Sequence, residues 1–423
     1  SSPRVAKYFL NPLAGSPYNE DGSINIDNLY SNVYNPLYIM KNDVQRNNFT
    51  RILNNNSLQW NVTDKLKFKT LFSADYLIRD YKNYNNRVYG DGDSTGGYGY
   101  MENFQNLNWV WQNSVDYRWN INDNHRVDFK ALMEYQKNKE KTVGAEGEEF
   151  GTDGLTNLDT SGKPIGAYGT TYDWESVSYM AMANYAFSNK IFVDLTYRRE
   201  GSSKFPEANR FGNFWSAGAA WNLQEENFMS SIPAINNLKL RASYGTTGNS
   251  NISINQYQQL FGYSSNYAGT GAGFPQTFGN NDLTWEKNDL LDVGFDLGLW
   301  KDRFTATFSY FNRRTYDLLL NVPLSYTTGH TSQYRNVGEM TNKGIEIEYN
   351  FNIVRSDDLN FSLGGNFATV KNNVTKLAKD GNGDMIEITT STRKVTEGEA
   401  VYSWYMRKYA GVNPDNGNAQ WYI

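Results

Sequence analysis

Apolar and polar side chains alternate along most of this chain with a period of two, the spacing of an extended strand whose side chains point to opposite faces. In residues 303–316, Phe304, Ala306, Phe308 and Tyr310 fall on one side, and Arg303, Thr305, Thr307 and Ser309 on the other. Residues 65–79 set Leu66, Phe68, Phe72, Ala74, Tyr76 and Ile78 against Lys65, Lys67, Lys69, Ser73, Asp75 and Arg79. The pattern repeats in 108–121, 126–136, 290–299 and 345–353, and less tidily in 50–62, 176–187, 190–200, 213–223, 238–246 and 359–370. That predicts about twelve strands, many as long as the ~9–11 residues that cross a bilayer at a tilt.

The connections between these strands sort by length. Short polar turns fall at 63–65, 122–124, 188–190, 301–302 and 355–358, and a somewhat longer one at 224–237. Between them lie long segments rich in Gly, Asn, Ser, Thr and Tyr, at 80–103, 140–173, 201–212, 247–287, 317–342 and 371–400. Short and long links in alternation predict hairpins with all short turns at one end and all long loops at the other, which is how outer-membrane barrels are built. A soluble sandwich has no reason to sort its loops in this way, and long structureless loops are uncommon in compact soluble domains. Trp60, Trp109, Trp111, Trp119, Trp215, Trp221, Trp285 and Trp300 fall at or near strand ends. Indole favours the headgroup layer, where the ring is shielded while its N–H stays wet, so their grouping predicts aromatic girdles.

Composition narrows the reading. The 423 residues carry 40 basic and 45 acidic side chains, a mild negative balance that argues against a general nucleic-acid binder. With no cysteine there can be no disulfide, thiolate metal site or cysteine nucleophile. The mean hydropathy of −0.67 looks soluble. A membrane barrel keeps that value low, however, because only alternate residues meet lipid. The expected fold is therefore all-β, a transmembrane antiparallel up-and-down barrel whose apolar faces touch lipid and whose polar faces line a lumen.

Candidate chemistry is sparse. The two histidines, His125 beside the turn at 122–124 and His330 in the 326–334 loop, are expected at opposite ends of the barrel, with no nucleophile elbow or metal spacing around either. No catalytic residue, metal ligand or cofactor is therefore assigned. Asp380, Asn382, Asp384 and Glu387 resemble an oxygen-rich calcium loop, and Asp91 and Asp93 do so more faintly. Met385 stands where an EF-hand needs glycine, and Asp-Gly and Asn-Gly are simple turn formers, so plain turns are expected. The "GTGAGF" at 269–274 neither follows a parallel strand nor opens a helix, so it lacks a phosphate-cradling geometry. What remains is a binding surface for sugars or peptides. Flat aromatic faces mixed with amides and acids occur at Tyr81, Tyr84, Asn85, Asn86 and Tyr89, at Tyr168, Tyr172 and Trp174, at Tyr257, Tyr263 and Tyr267, and at Tyr326 and Tyr334. Loop packing accounts for any one of these as well, so regions rather than substrate-binding residues are indicated.

Six blocks carry a resemblance. "VDLTYRREGSSKF" (193–205), "RFGNFWSAGAAWNLQEENFM" (210–229), "NLKLRASYGTTGN" (237–249), "LTWEKNDLLDVGFDLGLWKDRFTATFSYFNRRTYDLLL" (283–320), "NVGEMTNKGIEIEYNF" (336–351) and "KYAGVNPDNGNAQWY" (408–422) occur in this order. They resemble the SusC/RagA family of TonB-dependent outer-membrane transporters, with "GLTNLDTS" (154–161) as a further match. Residues 1–150 agree more through strand pattern than wording. The resemblance implies a barrel of about twenty-two strands filled by an N-terminal plug. It implies a TonB box contacting the energy complex and a SusD-like surface lipoprotein closing over the mouth. The implied activity is active import of oligosaccharides or peptides across a Bacteroidetes-type outer membrane. On this reading residues 1–423 are a partial barrel domain without a plug, the middle of a longer transporter, with TonB reached through a segment outside them. A passive porin-like or structural barrel is the alternative.

Overall fold

The structure is a computed structural model that describes residues 15–27, 34–380, 383–389 and 391–422. After helix α1 (Pro36–Asn42), strands β1 (Val44–Asn61), β2 (Leu66–Asn85), β3 (Tyr98–Asn120), β4 (His125–Phe150), β5 (Ser161–Phe187), β6 (Ile191–Ser202), β7 (Phe211–Asn222) and β8 (Ile235–Asn249) follow one another. The hairpin β9 (Phe261–Tyr267) and β10 (Thr270–Pro275) precedes β11 (Glu286–Leu299) and β12 (Phe304–Tyr316). The hairpin β13 (Leu319–Pro323) and β14 (Ser332–Asn336) precedes β15 (Glu339–Arg355) and β16 (Asn360–Lys376). Short strands β17 (Ile388–Thr389), β18 (Arg393–Val395) and β19 (Ser403–Trp404) form a small sheet, and β20 (Tyr409–Val412) pairs with β21 (Ala419–Trp421). One sheet holds twelve strands in the order β1 to β8, β11, β12, β15, β16. Each strand lies beside its predecessor in the sheet, which is the meander of an up-and-down barrel wall.

Register confirms the two faces. Phe295 lies opposite both Leu240 and Phe308, Phe308 opposite Ile347, and Ile347 opposite Phe367. Five strands thus present one unbroken apolar row. The next row reads Lys239, Asp296, Thr307, Glu348 and Asn366, and it emerges on the other face because the pleat reverses every residue. Among the described residues no second layer covers the apolar rows: Leu195 is 51% exposed, Leu363 51% and Phe367 56%. An uncovered apolar surface of this extent calls for a hydrocarbon environment. Trp60, Trp119, Trp221 and Trp300 are all exposed and lie beside short turns, at the level of a girdle. Trp285 does not join them. It is 2% exposed and plugs a loop core with Phe205, Phe214, Ile252 and Leu283. Its indole N–H donates to the Arg210 carbonyl at 3.0 Å, which satisfies a polar group that burial would otherwise strand.

Two of the short turns use the left-handed backbone that suits a right-twisted hairpin. Ser188 and Asn189 have φ of 48° and 56°, and Trp300, Lys301 and Asp302 have φ between 55° and 59°. The long links depart from expectation. Half of segment 80–103 and most of 140–173 are strand, because β2 to β5 run for 20 to 27 residues. The alternation fades there because these extensions leave the lipid band, polar residues take both faces and a local core buries Tyr84 and Phe150, while the strands themselves continue. The links at 247–287 and 317–342 hold the hairpins β9–β10 and β13–β14.

By its contacts the chain resolves into two compact units, one of residues 1–57, 71–111 and 136–174 and one of 58–70, 112–135 and 175–423. The first has a small aromatic core. Tyr84 is fully buried with its ring edge-on to Phe150 at 5.0 Å, and Tyr89 meets Tyr34 and Tyr38 at 5.2 Å each. Buried Asn35 caps α1 through Leu37 N–H and donates to the Pro17 and Asn25 carbonyls, both at 2.8 Å. In the second unit Gly212 and Gly248 lie under the Phe214 ring, where a Cβ would come within 2.4 and 2.1 Å of it.

The two faces of β12 predict opposite responses to charge. Phe308→Arg in the full-length protein should destabilise the folded barrel in lipid by about 2–4 kcal/mol, whereas Thr307→Arg should be close to neutral. Urea unfolding in lipid vesicles measures both. Equal costs would contradict the assignment of lipid to the Phe308 face.

Candidate functional site

Within the first unit, β1 to β5 surround a cavity of about 720 Å³ lined by Arg46, Asp80, Tyr81, Glu102, Asn103 and Tyr168 among others. Gly144 makes room for the Tyr168 ring: a Cβ there would lie 2.6 Å from the ring carbons and hydroxyl. The aromatic ring therefore rests directly on the β4 backbone. The Tyr168 and Tyr100 hydroxyls donate to one oxygen of Glu102 at 2.6 and 2.7 Å, and the Arg79 guanidinium reaches the other. Tyr81 packs edge-on to Tyr100 at 5.8 Å, and Asn103 donates to Asp80 at 2.6 Å. On the Glu102 face, rigid aromatic surface beside a fixed carboxylate suits a flat, hydroxylated or amide-bearing ligand, while Asp80 and Asn103, one residue along their strands, point to the opposite face.

Glu102 lies well outside any membrane span, since roughly 60 Å of strand separates it from the turn end of β3 at Asn120. Hydrogen bonds from Tyr168 and then Tyr100 hold its carboxyl below the usual glutamate range. Nearby Tyr98 is pushed up to about 12, first by burial and then by its bond to Glu146. Glu102 is thus a fixed anion that orients two tyrosines.

In the second unit the polar face carries paired charges. Arg241 bonds Asp292 at 3.1 Å, lies 3.8 Å from Asp296, and also donates to the Ser309 hydroxyl. Gly294 allows this, since a Cβ there would meet the guanidinium at 2.9 Å and the Phe308 carbonyl at 2.3 Å. Arg198 pairs with Glu200 at 2.9 Å and Glu134 at 3.4 Å. Beside it a groove of about 600 Å³ runs along β5 to β8, lined by Asp194, Thr196, Arg198, Glu200 and Phe214.

The residues singled out from sequence divide sharply. Tyr81 and Tyr168 line the cavity. Tyr84, Asn86 and Tyr89 are buried, and Asn86 hydrogen-bonds Asp43, Tyr38 and Val88, so they shape the unit from inside. Tyr257 and Tyr334 pack on the Trp285 core. Tyr172, Tyr263, Tyr267 and Tyr326 are exposed. His125 bonds the Tyr185 hydroxyl at 2.7 Å beside its turn, and His330 stacks on Phe278 at 5.1 Å within its loop. Asp380 accepts the Asp384 N–H at 2.9 Å, while Glu387 turns to Lys394 at 2.7 Å and to Thr396. Those carboxylates serve a turn and an ion pair. Asn382 lies outside the described residues. Among the described residues no three His, Asp or Glu side chains converge as metal ligands. Sequence reading missed Glu102 and Asp80. The Tyr98, Tyr100, Glu102 alternation was the available signal for the first, and nothing local marks the second.

A family described as TonB dependent receptor-like, beta-barrel matches residues 3–422. TonB-dependent receptor P3 of Formosa agariphila is 31% identical over 408 residues, 93% of this chain and 40% of the relative. TonB-dependent receptor SusC of Bacteroides thetaiotaomicron is 30% identical over 57% of this chain and 26% of its own length. Among solved structures, the RagAB peptide transporter superposes with a TM-score of 0.87 at 25% identity, over 96% of this chain and 46% of that one. The chain spans less than half the length of these relatives.

The lowered value of Glu102 has a definite sign. A carboxyl whose folded pKa is depressed contributes stability that is complete above its unfolded pKa and is lost as pH falls through the folded one. Hydrogen exchange of residues 98–103 and 166–170, corrected for intrinsic rates, should therefore be flat near neutrality and accelerate in acid below the ordinary carboxylate range. Glu102→Gln should raise exchange there at neutral pH and remove that acid dependence.

Proposed function

The chain belongs to the TonB-dependent receptor-like β-barrel family of the outer membrane, and on that premise we propose that it is wall and mouth of an active importer of oligosaccharides or peptides. The observation that carries this reading is the fit to the RagAB peptide transporter over 96% of the chain. The cavity of Tyr81, Glu102 and Tyr168 supports it. Cargo is captured there, where aromatic faces displace water from apolar ligand surface and the surrounding amides and acids meet its polar groups. A SusD-like surface lipoprotein closes over the bound cargo. The outer membrane has no ATP supply, so release into the periplasm draws on TonB through a plug that belongs to the whole protein. The paired charges of the polar face suit a water-filled passage: Arg241 bridges Asp292 and Asp296, and Arg198 bridges Glu134 and Glu200, so two cations meet four carboxylates.

The decisive experiment is growth of the source bacterium on a panel of glycans and peptides, with the full-length gene deleted and then restored. Restored uptake of one cargo that fails in a TonB-deficient background supports active import. Uptake that persists without TonB points to a passive porin-like barrel instead. Tyr81→Ala and Tyr168→Ala should weaken half-saturating uptake of that cargo about tenfold each, in line with loss of one aromatic contact. Affinity purification of the intact protein should bring down a lipoprotein.

A further inference from the structure

On the lipid side of β12, β15 and β16, the rows change character abruptly toward the loop end. The row Val293, Tyr310, Ile345, Thr369 is the last of the apolar band. The next reads Leu291, Asn312, Lys343, Lys371. Lys343 and Lys371 are thus direct cross-strand partners, both are exposed, and among the described residues neither has an ion-pair partner. Like charges directly opposite one another destabilise a sheet, so an anion bound between them would relieve this pair.

The carboxylates that this face offers further out are taken: Glu339 holds Arg314 through two bonds of 2.8 and 2.7 Å and accepts from Thr375, and Asp289, opposite Arg314, accepts from the Tyr316 hydroxyl at 3.5 Å. Beyond the lysines, a cleft of about 430 Å³ is lined by Arg314, Tyr316, Glu339, Lys376 and Lys379.

Phe304 follows the short turn, so β12 rises toward the long-loop end. Asn312 stands roughly 20 Å higher along the membrane normal for a strand tilted by about 40°, near the top of a ~25 Å apolar band. Basic side chains at that level meet lipid headgroups rather than acyl tails.

We propose that Lys343 and Lys371 bind the phosphate of an outer-leaflet glycolipid, with its sugar headgroup resting in the cleft of Arg314, Tyr316 and Lys376. A phosphate monoester carries close to two negative charges at neutral pH and three acceptor oxygens, which matches two ammonium donors on neighbouring strands. The site lies on the outer surface of the wall and is independent of cargo. It rests on the assignment of this face to lipid.

The test uses the full-length protein in detergent, titrated with bis-phosphorylated lipid A, its dephosphorylated form and inorganic phosphate, with bound lipid read by native mass spectrometry. Wild type should bind the phosphorylated lipid about tenfold more tightly than the dephosphorylated one, and Lys343→Gln/Lys371→Gln should lose that preference. Lys343→Arg/Lys371→Arg should keep it. Heat-modifiable migration on gels verifies that each variant is folded. Equal preference in wild type and the glutamine variant overturns the proposal, as does inorganic phosphate competing at the concentration of the lipid. Binding of neither lipid form would instead sink the lipid-facing assignment beneath it.

Discussion

Backbone polarity in a hydrocarbon solvent is the constraint on which everything else in this protein depends. Each peptide N–H and C=O within the membrane must be paired inside the protein, because no water is available there. An antiparallel ladder does this between neighbouring strands, and the meander from β1 to β16 does it with the shortest connections. Once the ladder exists, the pleat imposes a two-residue period, and the side chains are sorted to two faces without further instruction. The row from Leu240 to Phe367 and the row from Lys239 to Asn366 are consecutive products of the same geometry.

The two faces then obey different physics. Toward lipid, large apolar groups remain uncovered by protein, a state that would drive aggregation in water. Toward the other side, guanidinium and carboxylate groups pair across strands, and their arrangement depends on missing side chains. Arg241 reaches over Gly294 to bridge Asp292, Asp296 and Ser309. These pairs are half exposed, so each adds little stability by itself. Their effect is to keep the wall wettable, with each guanidinium held between two carboxylates.

Where strands leave the lipid environment, the ladder persists but the sorting ends. Aromatic residues there serve both structure and binding, and burial separates the two. Tyr84 and Tyr89 are consumed in packing, while Tyr81 and Tyr168, of the same residue type and in comparable sequence surroundings, line a cavity. Glu102 shows how such a surface is made rigid: one carboxylate accepts two tyrosine hydroxyls and a guanidinium, and so freezes rings that would otherwise rotate.

By itself the sequence determined the all-β class, the strands that cross the membrane, the face each residue takes there and the end at which the long connections gather. It could do so because lipid on one side and water on the other make burial strictly periodic, and because Phe308 beside Thr307 already states which solvent each meets. The quoted blocks also carried the family. Only the tertiary structure decided the rest. It showed strands continuing through 80–85 and 140–150, where polar residues take both faces and burial follows a local core around Tyr84 and Phe150, so the period carries no signal. It also withdrew Trp285 from the girdle into a loop core. And it selected Tyr168 and Glu102 for a site by bringing together strands that are distant in sequence, a convergence that depends on register across several hairpins and not on any local pattern.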